Sequence, residues 1–327
     1  MSRRRALLAA LAPGLALPHL ARAQQPNWPQ ARPIRLVIGF PPGGSADFLA
    51  RSLADPLGRE LGQTILIDNR PGAGANIATE HVARSEPDGY TLLLGGNFSH
   101  AVNPAMFRRV SFDPIGDFTP ITQVSDIPTI IAVNPASGIR TLSELIERIR
   151  AKPGQWNYGT PGIGTPSHLA GAMLTKVTGL ELTHVAFRGG APSLTAILAG
   201  DIEIIIGTPP VVLPHSRAGR LTALALTTAA PSPVIPDVPG AVAAGLPGLD
   251  IAGWYGLFAP AKLPPAIRDR IFAVTRAALA QPTVRDRFAQ EGLQALPSAS
   301  PEDYGAFVAR EIPFWAQIVR DAGATVE

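Results

Sequence analysis

The residues best placed for chemistry fall in a set of glycine-rich turns. The first is Pro41-Pro42-Gly43-Gly44-Ser45-Ala46-Asp47, which follows the apolar run Leu36-Val37-Ile38 and precedes a helical stretch. A glycine loop between a strand and a helix gathers unpaired backbone N–H groups at the positive end of the helix dipole. That makes a seat for an anion. The second turn runs Tyr158-Gly159-Thr160-Pro161-Gly162-Ile163-Gly164-Thr165-Pro166-Ser167-His168. Thr165 suits the N-cap there, Pro166 the first helical position, and Ser167 and His168 the first turn. A third turn is Arg188-Gly189-Gly190-Ala191-Pro192-Ser193, where Arg188 beside backbone donors would draw an anion in. A weaker fourth is Gly207-Thr208-Pro209-Pro210. In doubly wound sheets such loops share the edge outside the carboxyl ends of the strands, where ligands bind.

Catalytic constellations are missing from the same sequence. There is no G-x-S-x-G elbow, no Walker lysine loop and no G-x-G-x-x-G fingerprint at the first βα turn. His81, His100, His168, His184 and His215 show no H-x-x-x-H spacing and no paired acids for a metal. With no cysteine there is no disulfide, thiolate site or thiol nucleophile. The expectation is a binding protein without cofactor or metal. An enzyme using His168 with Asp47 or Ser167, and a sensory module working through a membrane partner, stand as the alternatives.

The elements that must position these turns alternate. Strands are expected at Ile34–Ile38, Thr64–Ile67, Thr91–Leu94, Thr129–Val133, Gln155–Tyr158, Leu182–Phe187, Ile202–Ile206 and Leu221–Thr227. Most are near-continuous apolar runs, as in parallel strands covered on both faces. Helices are expected at Ala46–Leu61, Asn76–Ser85, Leu142–Ala151, Ser167–Thr178, Ser193–Ala199 and Val211–Ala218. Gly62, Gly179, Gly200 and Gly219 follow as helix-ending residues. Repeated βα units imply an α/β fold with open parallel sheets and right-handed crossovers. Two irregular crossings, Phe112–Ser125 and Ala229–Gly256, break the rhythm. A strand at Trp254–Phe258 and three closing helices follow, from about Pro265, Thr283 and Pro301.

A length of 327 residues suits two domains. The expected layout is a first lobe over 24–122, an inserted second lobe over 123–250, and a return over 251–327 that completes the first. Two crossings make a hinge, and a hinge between two α/β lobes makes a cleft. The first 23 residues read as a cleavable export signal: Arg3-Arg4-Arg5, an apolar Ala6–Leu17, and Ala21-Arg22-Ala23 as a small-x-small site. Removing its four arginines from the 28 basic residues leaves 24 against 25 acids, a net charge of −1. A nucleic-acid partner, which wants a basic face with aromatic stacking groups, is not expected.

The chain resembles the periplasmic solute-binding proteins of tripartite tricarboxylate transporters, the Bug receptors. The likeness extends from about Pro33 to the end. It is carried by Ile38–Asp47, by Asp68-Asn69-Arg70-Pro71-Gly72-Ala73-Gly74 and by Pro87-Asp88-Gly89-Tyr90-Thr91-Leu92-Leu93-Leu94-Gly95. It continues in Asn157-Tyr158-Gly159, Ser167-His168-Leu169-Ala170-Gly171, Gly219-Arg220-Leu221 with Ala223-Leu224-Ala225, and Gly256-Leu257-Phe258-Ala259-Pro260-Ala261. The resemblance implies a two-lobed Venus-flytrap fold of the type II periplasmic-binding class, with each lobe a parallel-rich sheet flanked by helices. It implies a small organic carboxylate as ligand, a transient membrane permease partner, a periplasmic location and a monomer.

The resemblance also assigns the grip: Phe40, Gly43, Gly44, Ser45 and Asp47 from the first lobe, and Gly162, Thr165, Ser167 and His168 from the second. Asn97 and Ser99 would line the floor. Apart from the resemblance, the third and fourth turns add Arg188 and Thr208 as ligand-binding candidates. The sequence departs from relatives at Gly207, where many carry a polar or acidic residue, and at Phe187, where the family has Tyr. Both losses point to a plain mono- or dicarboxylate rather than an amino acid, whose ammonium would lack an acid partner.

Overall fold

The computed structural model describes residues 28–324. The export signal expected over 1–23 lies outside the described residues. The chain opens with β1 (Ile34–Ile38), α1 (Ser45–Leu61), β2 (Ile65–Asn69), α2 (Asn76–Ala83), β3 (Thr91–Gly96) and α3 (Asn103–Met106). It continues through β4 (Phe118–Pro128), β5 (Ile130–Val133), α4 (Leu142–Ala151), β6 (Trp156–Thr160), α5 (Pro166–Thr178), β7 (Leu182–Ala186) and α6 (Gly190–Ala199). Next come β8 (Ile204–Gly207), α7 (Pro209–Arg217), β9 (Thr222–Leu226) and β10 (Ala252–Pro260). It closes with α8 (Pro265–Ala280), α9 (Pro282–Gln290), β11 (Gln294–Ala295) and α10 (Pro301–Asp321).

The strands form two sheets, one per lobe. The first has the order β11-β4-β10-β3-β1-β2 and the second β7-β6-β8-β5-β9. Side chains on one strand alternate between the two faces of its sheet. Leu36 and Ile38 pack with α1, α8 and α9, while Val37 faces a separate aromatic core with Phe258 and Tyr304. In the second sheet Ile131, Ile204 and Ile206 face one core, and Ile130 and Ile205 face the other. Burial on both faces explains the near-continuous apolar runs.

Three expectations are corrected. The sheets are mixed rather than parallel throughout. β1 pairs in parallel with β2 and β3, and β6 with β7 and β8, but β10 runs antiparallel to β3 and β4 and β5 antiparallel to β8 and β9. The antiparallel members adjoin the two crossings and traverse the sheets without a βα unit. Phe112–Ser125, read as irregular, holds most of the eleven-residue β4. Its Pro120 masked the strand. β11 covers β4 only at Ser125 and Asp126, so Pro120 lies where β4 is an edge and a missing N–H is tolerated. The closing helices do not all complete the first lobe. Tyr304 and Val308 of α10 join the first lobe's core, whereas Trp315, Ile318 and Val319 join the second's, with Pro313 between them. The Glu311 carboxylate accepts hydrogen bonds from Trp254 Nε1 and Trp315 Nε1, both at 2.8 Å.

Candidate functional site

Four helix N-termini converge on one cavity between the lobes. Gly44, Ser45 and Ala46 reach it from α1, Thr165, Pro166 and Ser167 from α5, Gly189 and Gly190 from α6, and Thr208 from the start of α7. Phe40, Pro41 and Pro161 come from the loops ahead of two of these helices. Asn97, Phe98, Ile127, Gly253, Trp254 and Tyr255 form the floor, contributed by the ends of β3, β4 and β10. No charged or histidine side chain is among the lining residues. The cavity volume is about 40 Å3, room for about three waters.

Each loop is held by its own sequence. Gly43 takes φ +91°, which favours glycine, and its N–H donates to Asp47 Oδ2 at 3.2 Å. Asp47 also accepts from Arg51 Nε at 2.9 Å and from Asn69 Nδ2 at 3.4 Å. Asn69 Nδ2 donates to the Phe40 carbonyl at 3.0 Å, so the loop is tied at both ends. Burial pulls the Asp47 carboxyl upward, but the bonds from Arg51, Gly43 and Asn69 together hold it below its usual range. In the second lobe Thr165 Oγ1 accepts the His168 N–H at 3.3 Å and donates to the Gly162 carbonyl at 2.7 Å.

Three polar groups in the cavity wall are buried with no partner: Ser45 Oγ, Ser167 Oγ and Asn97 Nδ2. Asn97 is fixed by its other side, where Oδ1 accepts the Trp254 N–H at 3.3 Å. A buried donor without a partner costs roughly 1–3 kcal/mol. Three of them around one void, at the positive ends of helix dipoles, form a site shaped for a ligand rich in acceptor oxygens. Burial pushes the Tyr255 hydroxyl well up, so it stays protonated and uncharged.

The expected residues divide by position. Phe40, Gly44, Ser45, Asn97, Thr165, Ser167 and Thr208 line this cavity. Gly162 and Arg188 line an adjoining outer cavity of about 490 Å3. Gly43, Asp47, Ser99 and His168 line neither. Gly43 and Asp47 organise the first loop. Ser99 Oγ is taken up by the Gly96 carbonyl at 3.1 Å and His100 Nδ1 at 2.9 Å. The His168 ring stacks on His184 at 4.3 Å, and His184 Nε2 meets Thr160 Oγ1 at 2.7 Å. Burial pushes His168 down to about 4 and His184 to about 3, the latter aided by His168 beside it. This pair braces the second loop from behind.

Ile127 and Gly253 were not expected, because they belong to strands that cross between the lobes and carry no motif. Trp254 and Tyr255 read from sequence only as members of a strand. Among the described residues no group of three or more His, Cys, Asp or Glu is placed to hold a metal, and no helix is long and apolar enough to cross a membrane.

Comparison with known proteins gives the same picture. The profile of the family described as "Tripartite tricarboxylate transporter family receptor" matches residues 49–324. Protein BugT of Bordetella pertussis is 33% identical over 298 residues, covering 91% of each chain. A solved Rhodopseudomonas palustris protein with adipate superposes with a TM-score of 0.88 at 32% identity, covering 92% of this chain and 100% of that one. MatC of the same organism, solved with bound malate, gives 0.82 at 31% identity, with 89% and 99% covered. The periplasmic binding protein BugD gives 0.86 at 30% identity, with 91% and 99% covered. The two-lobed fold, the cleft of converging helix N-termini and these matches together place the chain in the tripartite tricarboxylate transporter receptor family of periplasmic solute-binding proteins.

Proposed function

We propose that the cleft captures a small organic carboxylate in the periplasm and presents it, with the lobes closed, to a membrane permease. The observation that carries this reading is the inner cavity itself: three unpartnered buried donors, four helix N-termini and no charged side chain in its lining. Dipoles and N–H groups offset one negative charge without a counter-ion. An ammonium group would find no carboxylate there, since Asp47 is committed to Gly43, Arg51 and Asn69. The preference is therefore for mono- or dicarboxylates over amino acids. Ligand that touches both lobes favours the closed state by population shift.

The enzyme alternative loses its constellation. Ser167 lines the cavity, but His168 stacks behind the loop and Asp47 is tied within the first lobe to Gly43, Arg51 and Asn69. Release of unaltered ligand, action as a monomer and export through the N-terminal signal complete the proposal.

A thermal-shift panel on residues 24–327 tests it. Malate, succinate and adipate should raise the melting temperature with concentration, by mass action, and be recovered chemically unchanged. A rise with aspartate exceeding that with succinate, or turnover of the acid, overturns it.

A further inference from the structure

One oxygen atom joins the cores of the two lobes. Glu311 Oε2 accepts from Trp254 Nε1 and from Trp315 Nε1, each at 2.8 Å. Trp254 belongs to the first lobe's aromatic core with Phe258 and Tyr304. Trp315 belongs to the core that holds Leu169 and Leu174 of α5. Val102 and Met106, which follow β3, share that second core, so it is a seam between the lobes. Both indoles are buried, and a buried indole N–H needs an acceptor. Glu311 takes part in none of the ion pairs among the described residues, so its carboxylate is committed to the two indoles.

Each indole is tied to part of the ligand site. Trp254 lines the inner cavity, and its backbone N–H fixes Asn97, whose Nδ2 is one of the three unpartnered groups there. Trp315 lies on the half of α10 that is fastened to α5, where Lys176 Nζ meets Asp321 Oδ1 at 2.9 Å. Helix α5 carries Thr165, Pro166 and Ser167 into the same cavity. Glu311 and Trp315 flank Pro313, which has no N–H to give the Ala309 carbonyl. A helix bends most readily at such a point. Both lobes therefore hold α10, and its weakest turn lies between the two holds.

We propose that Glu311 is a positioning residue that couples occupancy of the cavity to closure of the lobes, with α10 bending at Pro313 as they part. In the closed state Oε2 receives both indole donors in a dry seam. Opening carries the α5 half of α10 away, and the Trp315 N–H passes to water. The bridge therefore stabilises the closed state alone, and it adds to the affinity for any ligand that needs both lobes. Without the acceptor, both N–H groups are orphaned in the closed state, whereas one of them is hydrated in the open state. This rests on the carboxylate reading above, and it concerns the strength of the grip rather than the class of ligand.

Calorimetry and melting curves with succinate and adipate, on wild type, Glu311→Gln, Glu311→Leu and Trp315→Phe, test it. Glu311→Gln keeps an acceptor oxygen and should bind within about 3-fold of the wild type. Glu311→Leu should lose roughly 10-fold or more in affinity. Acid should also raise its melting temperature less than it raises that of the wild type. Trp315→Phe keeps a ring in the seam without the donor and decides the matter should Glu311→Leu not fold: its acid-induced rise should shrink in the same way. A rise equal to that of the wild type in the folded variants overturns the coupling, since a purely structural residue lowers the liganded and ligand-free forms alike. So does a loss in Glu311→Gln equal to that in Glu311→Leu. Wild-type binding in those cases keeps the carboxylate reading, while a wild type that binds neither acid overturns both.

Discussion

Thr129, in the link between β4 and β5, and Thr227, immediately after β9, face each other with their hydroxyls 2.8 Å apart where the chain passes between the lobes. Both residues are fully buried. The Thr227 N–H donates to the Thr129 carbonyl at 2.9 Å, and Thr227 Oγ1 donates to the Ile251 carbonyl at 2.7 Å. Ile251 in turn returns its N–H to the Thr227 carbonyl at 2.8 Å. The crossing is thus a clasp of main chain and two hydroxyls rather than a loose linker.

Thr227→Val keeps the shape and removes the hydroxyl. It leaves the Ile251 carbonyl and the Thr129 hydroxyl short of a partner in a dry site. The expected cost is about 1–3 kcal/mol of unfolding free energy. Urea denaturation at pH 7 reads it directly, and a loss below the measurement error would mean the clasp is not a stabilising feature.

Ser45→Ala and Ser167→Ala should act on binding and not on folding. Both hydroxyls are buried and lack partners, so their removal leaves ligand-free stability unchanged or slightly higher. A hydrogen bond to a charged group is worth about 1.5–3 kcal/mol, so each variant should lose roughly 10- to 100-fold in affinity for its acid. Paired calorimetry and melting curves separate the two effects. A drop in melting temperature with affinity intact would reverse the assignment.

Gly253→Ala tests closure. A Cβ there would meet the Pro166 ring at 2.4 Å and Asn97 Oδ1 at 3.0 Å, the contact between the first lobe's floor and the start of α5. Overpacking of this kind costs about 1–3 kcal/mol unless the lobes separate, which relieves it. The variant should fold, remain open, and show no compaction in solution scattering when ligand is added. Normal compaction at normal affinity would count against a closed state built on this contact.

Stability should fall as the solution is acidified from pH 6.5 to 4.5. Burial holds His100 at about 3, His168 at about 4 and His184 at about 3, against about 6.5 in an unfolded chain. Below pH 6.5 the unfolded chain binds protons that the folded chain refuses, so stability drains until the folded values are reached. Asp47 adds to the loss only lower down: its stabilisation is present above the ordinary carboxylate range and goes as pH falls through its depressed value. Asp126, pushed up by burial, works the other way, but it is one group against three. His184→Phe should flatten the slope. A melting temperature constant across the window in the wild type would show that these rings are not the titrating groups.

Much of the site could be read before any fold was known. Gly43-Gly44-Ser45 and Thr165-Pro166-Ser167 announce helix starts through local chemistry: a position needing φ above zero, a hydroxyl cap, a proline with no N–H to lose. Leu36-Val37-Ile38 announces a strand buried on both faces. These properties depend on neighbours in the chain, so they are legible from the chain. The resemblance of whole segments supplied the family, and the comparisons agree with it.

What only the tertiary structure decided depends on residues far apart in sequence. Asp47 and Ser45 are two positions apart, yet Ser45 faces the cavity and Asp47 turns back to Gly43 and Asn69, because successive first-turn residues point around a helix in different directions. His168 follows Ser167 but stacks on His184, which arrives from the next strand. Pro120 disguised β4, and with it the floor residue Ile127, while Gly253 of β10 lies in the stretch that reads as an irregular crossing. The division of α10 between two cores, and the contact of Pro41 with Gly189, arise from packing across the hinge. Sequence fixes which backbone groups are left wanting a partner; only the closing of one lobe on the other determines which of them meet.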